Sequence, residues 1–134
     1  MCNNNNNSNR CVAEILEVIN ILQRNAECPT DLLESCDRGF LNCNQPVLNC
    51  NTRPVTLYSC NGTAWAFPIS KDPDEDVTST IFRVEAVDDN CCTCRILATD
   101  ATTGEYTNTN EFFTINLDCV GAVRCLPDTY VDLC

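Results

Sequence analysis

A chain of 134 residues has room for one domain with a modest core, and its net charge of −11, from 19 acidic against 8 basic side chains, excludes a surface that could neutralise a row of phosphates. Histidine is absent, which removes Ser-His-Asp and Cys-His catalysis, His metal ligands and His-based pH switching, so neither an enzyme nor a cofactor is expected. Thirteen cysteines form the strongest signal: this density belongs to disulfide scaffolds or metal-thiolate proteins, and an odd count leaves at least one thiol free, capped, metal-bound or bonded to another molecule.

Residues 1–10 read as a flexible polar tail, Met1-Cys2 followed by five asparagines, and 11–134 as one cysteine-rich domain. The tail has no apolar h-region, and no run of about 18 apolar residues occurs, so export by an ordinary signal peptide and membrane insertion are both unexpected. From 11 to 25, Val12, Ile15, Leu16, Ile19 and Leu22 recur at helical spacing and predict an amphipathic helix. Asn9 suits its N-cap, Glu14 and Arg24 suit its macrodipole, and Pro29 closes it. Residues 29–53 predict a loop, with a short helical turn at 31–35. Within it Cys36, Cys43 and Cys50 recur every seven residues, among Gly39, Pro46 and several asparagines that oppose a helix.

Residues 54–126 predict the β region. The runs 55–60 and 63–68 flank Asn61-Gly62, a type I′ hairpin signal. The run 81–87 (I-F-R-V-E-A-V) alternates, Asp88-Asp89-Asn90 turns, and 92–99 returns. After a turn at 102–104, the run 111–119 alternates again and 120–126 supplies a last strand, leaving 127–134 as a short tail. The fold class is therefore α+β and mainly β: a helix followed by an antiparallel sandwich or small barrel, rich in disulfides. Tyr58, Trp65, Phe67, Phe82, Phe112 and Phe113 are core candidates, although Phe112 and Phe113 are adjacent and must face opposite sides of their strand.

Cys91-Cys92-Thr93-Cys94 contains a C-x-x-C, but it begins a strand and not a helix, and Cys119 and Cys125 are too far apart for the second close pair of a zinc site. Asp72, Asp74, Glu75 and Asp76 resemble a calcium loop only superficially, because Val77 and Arg83 stand where such a loop needs Gly and Glu. Asn61-Gly62-Thr63 is formally a glycosylation sequon that the hairpin turn already explains. No metal site is assigned. Cys2 and Cys134, on segments with little local structure, are the leading candidates for inter-chain cross-links. Cys11, Cys28, Cys36, Cys43, Cys50, Cys60, Cys91, Cys92, Cys94, Cys119 and Cys125 complete the set of disulfide candidates.

Several segments resemble one family. They are Cys11-Val12, Cys28-Pro29-Thr30, Asn51-Thr52-Arg53-Pro54 with Leu57-Tyr58, Ile81-Phe82-Arg83-Val84-Glu85, Asp88-Asp89 to Cys92, and the block 116–126 (N-L-D-C-V-G-A-V-R-C-L). The family is that of the cysteine-rich spore coat and exosporium proteins of endospore-forming bacilli, which includes spore coat proteins Y and Z and exosporium protein Y. Cys119 and Cys125 match the outer cysteines of its last motif, and Gly121 stands where the family usually has the middle one. The loop cysteines, Cys134 and the missing histidine-rich termini also depart from the family pattern. The resemblance implies a structural protein of the coat, crust or exosporium that self-assembles, through hexamers, into a two-dimensional lattice hardened by disulfides. It implies partners among copies of itself and other coat proteins. It also implies synthesis in the mother cell, with oxidation after lysis. A metal-thiolate protein or a monomeric disulfide-rich binding module are the alternatives the composition leaves open.

Overall fold

A computed structural model describes residues 10–25 and 50–133. Helix α1 spans Arg10–Arg24. Val12, Ala13, Leu16 and Ile19 face inward together with Asn20 and Gln23, whereas Ile15 and Leu22, expected on the same stripe, are 45% and 48% exposed. The inner arc is centred on Leu16, so positions 20 and 23 take the place of 15 and 22. Gln23 is buried because both ends of its amide are paired: Nε2 donates to the Val84 carbonyl at 2.7 Å and Oε1 accepts the Arg53 N–H at 2.9 Å. Arg24 lies in the last turn as expected, but the first turn holds no acidic residue, because the helix begins at Arg10 and leaves Glu14 beyond it. The expected N-cap at Asn9 and turn at 31–35 lie outside the described residues.

Seven strands follow among the described residues: β1 (Val55–Tyr58), β2 (Phe67–Pro68), β3 (Thr78–Ser79), β4 (Phe82–Asp88), β5 (Cys91–Thr99), β6 (Tyr106–Asn116) and β7 (Ala122–Cys125). All pair antiparallel, in an open five-stranded sheet of order β6-β5-β4-β1-β7 and a two-stranded ribbon β2-β3. The fold is thus mainly β behind an N-terminal helix, and the sandwich's second layer is reduced to α1 and the ribbon. Val55, Leu57, Phe82, Val84, Cys92, Cys94, Ile96 and Ile115 project from the sheet into the core, meeting Val12, Leu16 and Ile19 of α1. Phe67 of the ribbon stacks on Phe113 with ring centroids 4.0 Å apart, and Phe82 meets Phe113 edge-on at 4.7 Å. Phe112, on the opposite face, is 47% exposed beneath the Arg95 guanidinium, 4.6 Å from its ring centroid.

The hairpin at Asn61-Gly62 differs from the expected form. Gly62 has φ +91° while Asn61 stays out of the left-handed region. Gly62 N–H donates to the Ser59 carbonyl at 2.9 Å and Ser59 N–H to Thr63 at 2.8 Å. This is a three-residue loop closed by a left-handed glycine, not a type I′ turn. The returning arm pairs with β1 only at Tyr58↔Ala64 and then leaves, since Pro68 has no N–H for a central ladder; β4 and β7 take the two sides of β1 instead.

β6 starts at Tyr106, ahead of the expected 111, because its polar Thr-Asn run continues the antiparallel ladder opposite residues 97–99, and side chains reinforce it: Thr109 Oγ1 donates to the Ile96 carbonyl at 2.7 Å and Arg95 Nη1 to Asn108 Oδ1 at 2.9 Å. A bulge there places Asn110 at φ +62°, a conformation Asn tolerates. β6 ends where Asn116 Oδ1 accepts the Asp118 N–H at 2.9 Å and caps the short 3-10 turn Leu117–Cys119. That turn carries the chain from one edge of the sheet to the other.

Candidate cross-linking surface

Eight cysteines fall within the described residues, while Cys2, Cys28, Cys36, Cys43 and Cys134 lie outside them. Cys60 is disulfide-bonded. Cys11, Cys50, Cys91, Cys92, Cys94, Cys119 and Cys125 are free. Four of these are exposed and sit on different elements. Cys11 is in the first turn of α1. Cys91 opens β5 after the turn at Asp89 (φ +57°) and is paired with Asn116. Cys119 belongs to the 3-10 turn, where its carbonyl accepts the Trp65 indole N–H at 3.1 Å while its side chain faces water. Cys125 closes β7 opposite Val55.

Alternation along β5 separates the C-x-x-C. Cys91 and Cys94 are three apart, so one faces solvent and the other the core. The pair brought together is Cys92 with Cys94, two apart and fully buried, with sulfurs 3.6 Å apart. The hydrogen bond shared with Cys92, together with burial, pushes the Cys94 thiol well up, which leaves it protonated and a poor nucleophile. Only the strand alternation could have marked this pair in the sequence. Among the described residues no group of three or more His, Cys, Asp or Glu side chains is placed to hold a metal. Asp72, Asp74, Glu75 and Asp76 lie exposed, and Asp72 Oδ1 accepts the Asp74 N–H at 3.0 Å in an ordinary Asx turn.

The scaffold beneath these thiols is rigid for a reason the alternation of 81–87 concealed. Arg83, which alternates with the core residues Phe82 and Val84, is nevertheless only 1% exposed. Its Nε donates to Thr52 Oγ1 at 2.9 Å, Nη1 to Glu85 Oε2 at 2.7 Å and Nη2 to the Asn51 carbonyl at 3.0 Å, and Glu85 Oε2 also accepts from Arg95 Nε at 2.9 Å. Asn51 in turn donates to the Val131 carbonyl at 2.8 Å, so one buried charge ties β4, β5, the approach to β1 and the segment after β7 together. Nearer the surface, Arg53 grips Asp128 through two N–H groups at 2.6 and 2.8 Å. The guanidinium holds the Asp128 carboxyl below its usual range.

Gly121 lies against the backbone of the turn at Ser59 and Cys60. Its N–H donates to the Tyr58 carbonyl at 2.8 Å, and a Cβ there would sit 2.8 Å from Cys60 Cα. A cysteine at 121 therefore requires the backbone at Cys60 to move, which explains in this chain why the position is glycine.

An open antiparallel sheet braced by a buried ion pair, with free thiols exposed on separate elements, defines a cysteine-rich structural β-protein. Residues 1–111 match the family model described as spore coat protein Z, and the chain belongs to that family. Its role is structural, at the spore surface. No curated protein and no solved structure matches it. The match ends within β6, so Cys119, Gly121 and Cys125 lie beyond it. No described helix is long and apolar enough to cross a membrane.

Proposed function

We propose that this protein is a self-assembling unit of the spore-surface layers, building an ordered two-dimensional lattice through hexamers that inter-chain disulfides then harden. The observation that carries the reading is the distribution of thiols: Cys11, Cys91, Cys119 and Cys125 are free and exposed on four different parts of one braced scaffold. A monomeric disulfide module would turn such groups toward one another. Weak contacts find register reversibly, and each later bond makes its contact indifferent to dilution. Cys2 and Cys134, with the exposed thiols, are the proposed cross-linking groups, and other coat proteins are the proposed further partners. The net charge of −11 keeps protomers soluble until they lock. Synthesis in the mother cell and oxidation after its lysis fit thiols that start reduced.

Boiling in detergent tests this reading. Oxidised protein should remain in species far larger than 14.9 kDa until reductant is added. Migration as a monomer without reductant would contradict it.

A further inference from the structure

Helix α1 has a second apolar face that its own sheet does not use. Ile15, Val18, Ile21 and Leu22 are 45%, 54%, 58% and 48% exposed, and the free thiol of Cys11 is exposed one turn before Ile15. Cys11, Ile15, Val18 and Leu22 follow one another at intervals of four, three and four residues, with Ile21 alongside. That alternation of four and three is the pattern of a heptad seam, whose knobs fit the holes of a facing helix. An extended segment or a sheet places no such demand on spacing. At roughly 200 Å² per fully exposed aliphatic residue, these four side chains leave about 400 Å² of apolar surface in water, the size at which patches mark interfaces. Two such faces bury about 800 Å² together, below the roughly 1,200 Å² of a stable interface. Helix pairing alone is therefore weak and reversible, and a covalent bond is needed to hold it.

The seam begins with a group able to form that bond. We infer that α1 is where two copies of this chain meet, as a parallel, in-register helix pair locked by a disulfide between Cys11 and the partner's Cys11. Only this alignment sets every seam residue opposite its own counterpart; an antiparallel pairing centred on the seam puts Cys11 against a leucine. The occupant is a second copy because the same spacing must recur on the facing helix, and because thirteen cysteines cannot all pair within one chain. With a low-molecular-weight disulfide as oxidant, one Cys11 thiolate displaces the first small thiolate and the second Cys11 displaces the other. Two protein thiols and one small disulfide become one inter-chain disulfide and two small thiols, so electrons and protons balance.

The inference rests on the self-assembly reading and names one of its contacts. It is tested on the full chain with Val18→Glu/Ile21→Glu and, separately, Cys11→Ser. Reduced wild-type protein should dimerise reversibly in sedimentation velocity, and the double variant should dimerise at least about tenfold more weakly with its melting temperature within about 2 °C of wild type. Oxidised glutathione should yield a Cys11–Cys11 linked peptide by mass spectrometry from wild type and none from Cys11→Ser. A double variant that melts more than about 5 °C lower would show the face covered by the chain itself, and would overturn the inference. Ordered sheets from the double variant would overturn it while leaving self-assembly intact. Dimers linked through Cys11 without any lattice would uphold it and sink the lattice.

Discussion

Replacing Arg83 by Met should cost about 3 kcal/mol of folding stability. The guanidinium is 1% exposed and its N–H groups are committed to Thr52, Glu85 and the Asn51 carbonyl. Met keeps the length and apolar stem of the side chain, so little cavity forms and the loss is electrostatic. Removing one partner of a buried ion pair costs about 3 to 5 kcal/mol, because the other charge stays buried. Glu85 retains Arg95 at 2.9 Å, which places the loss at the low end of that range. Urea unfolding at a fixed redox state measures it: with a slope near 1.5 kcal/mol/M, the midpoint should fall by about 2 M. Glu85→Ala should cost less in the Arg83→Met background than in wild type, since the two changes remove one shared interaction. An Arg83→Met protein within about 0.5 kcal/mol of wild type would refute the assignment of Arg83 as the brace of the sheet.

Gly121→Ala should lose about 1 to 3 kcal/mol in the same assay, because its Cβ would meet Cys60 Cα at 2.8 Å; an unchanged midpoint would mean the contact yields freely. Phe113→Ala, which opens the aromatic cluster, should cost about 3 to 5 kcal/mol, while Phe112→Ala should cost under about 1, and equal losses would contradict the two-faced reading of β6. Iodoacetamide on reduced, folded protein should label Cys11, Cys91, Cys119 and Cys125 and spare Cys92 and Cys94 until urea is added, as peptide mapping would show. The Asp128 carboxyl is held below its usual range by Arg53, so its small contribution is present above about pH 4 and lost as pH falls through the depressed value. The amide protection factors of residues 126–133, corrected for intrinsic exchange, should accordingly fall at acid pH in wild type and show no such step in Asp128→Asn.

Local periodicity makes the helix, β4, β5 and the opposite facing of Phe112 and Phe113 legible in the sequence. It failed where side-chain hydrogen bonding replaces apolar alternation. The Thr-Asn run of β6 carries no hydrophobic signal, and Gln23 is buried by its amide bonds in a position the stripe had given to Leu22. Arg83 was illegible for a related reason. Its partner Glu85 is visible two residues on, but Thr52 and the Asn51 carbonyl reach it only through the topology. The cysteines were legible as a composition and not as a site, because exposure on four separate elements depends on sheet order. The second apolar face of α1 was likewise hidden inside one broad stripe.

The central claim is covalent hardening of a self-assembled lattice, and negative-stain electron microscopy of the purified protein, with and without reductant and denaturant, tests it most directly. The account predicts ordered sheets or polymers that survive denaturant and disperse only when reductant is present. Monodisperse small particles under oxidising conditions would contradict it.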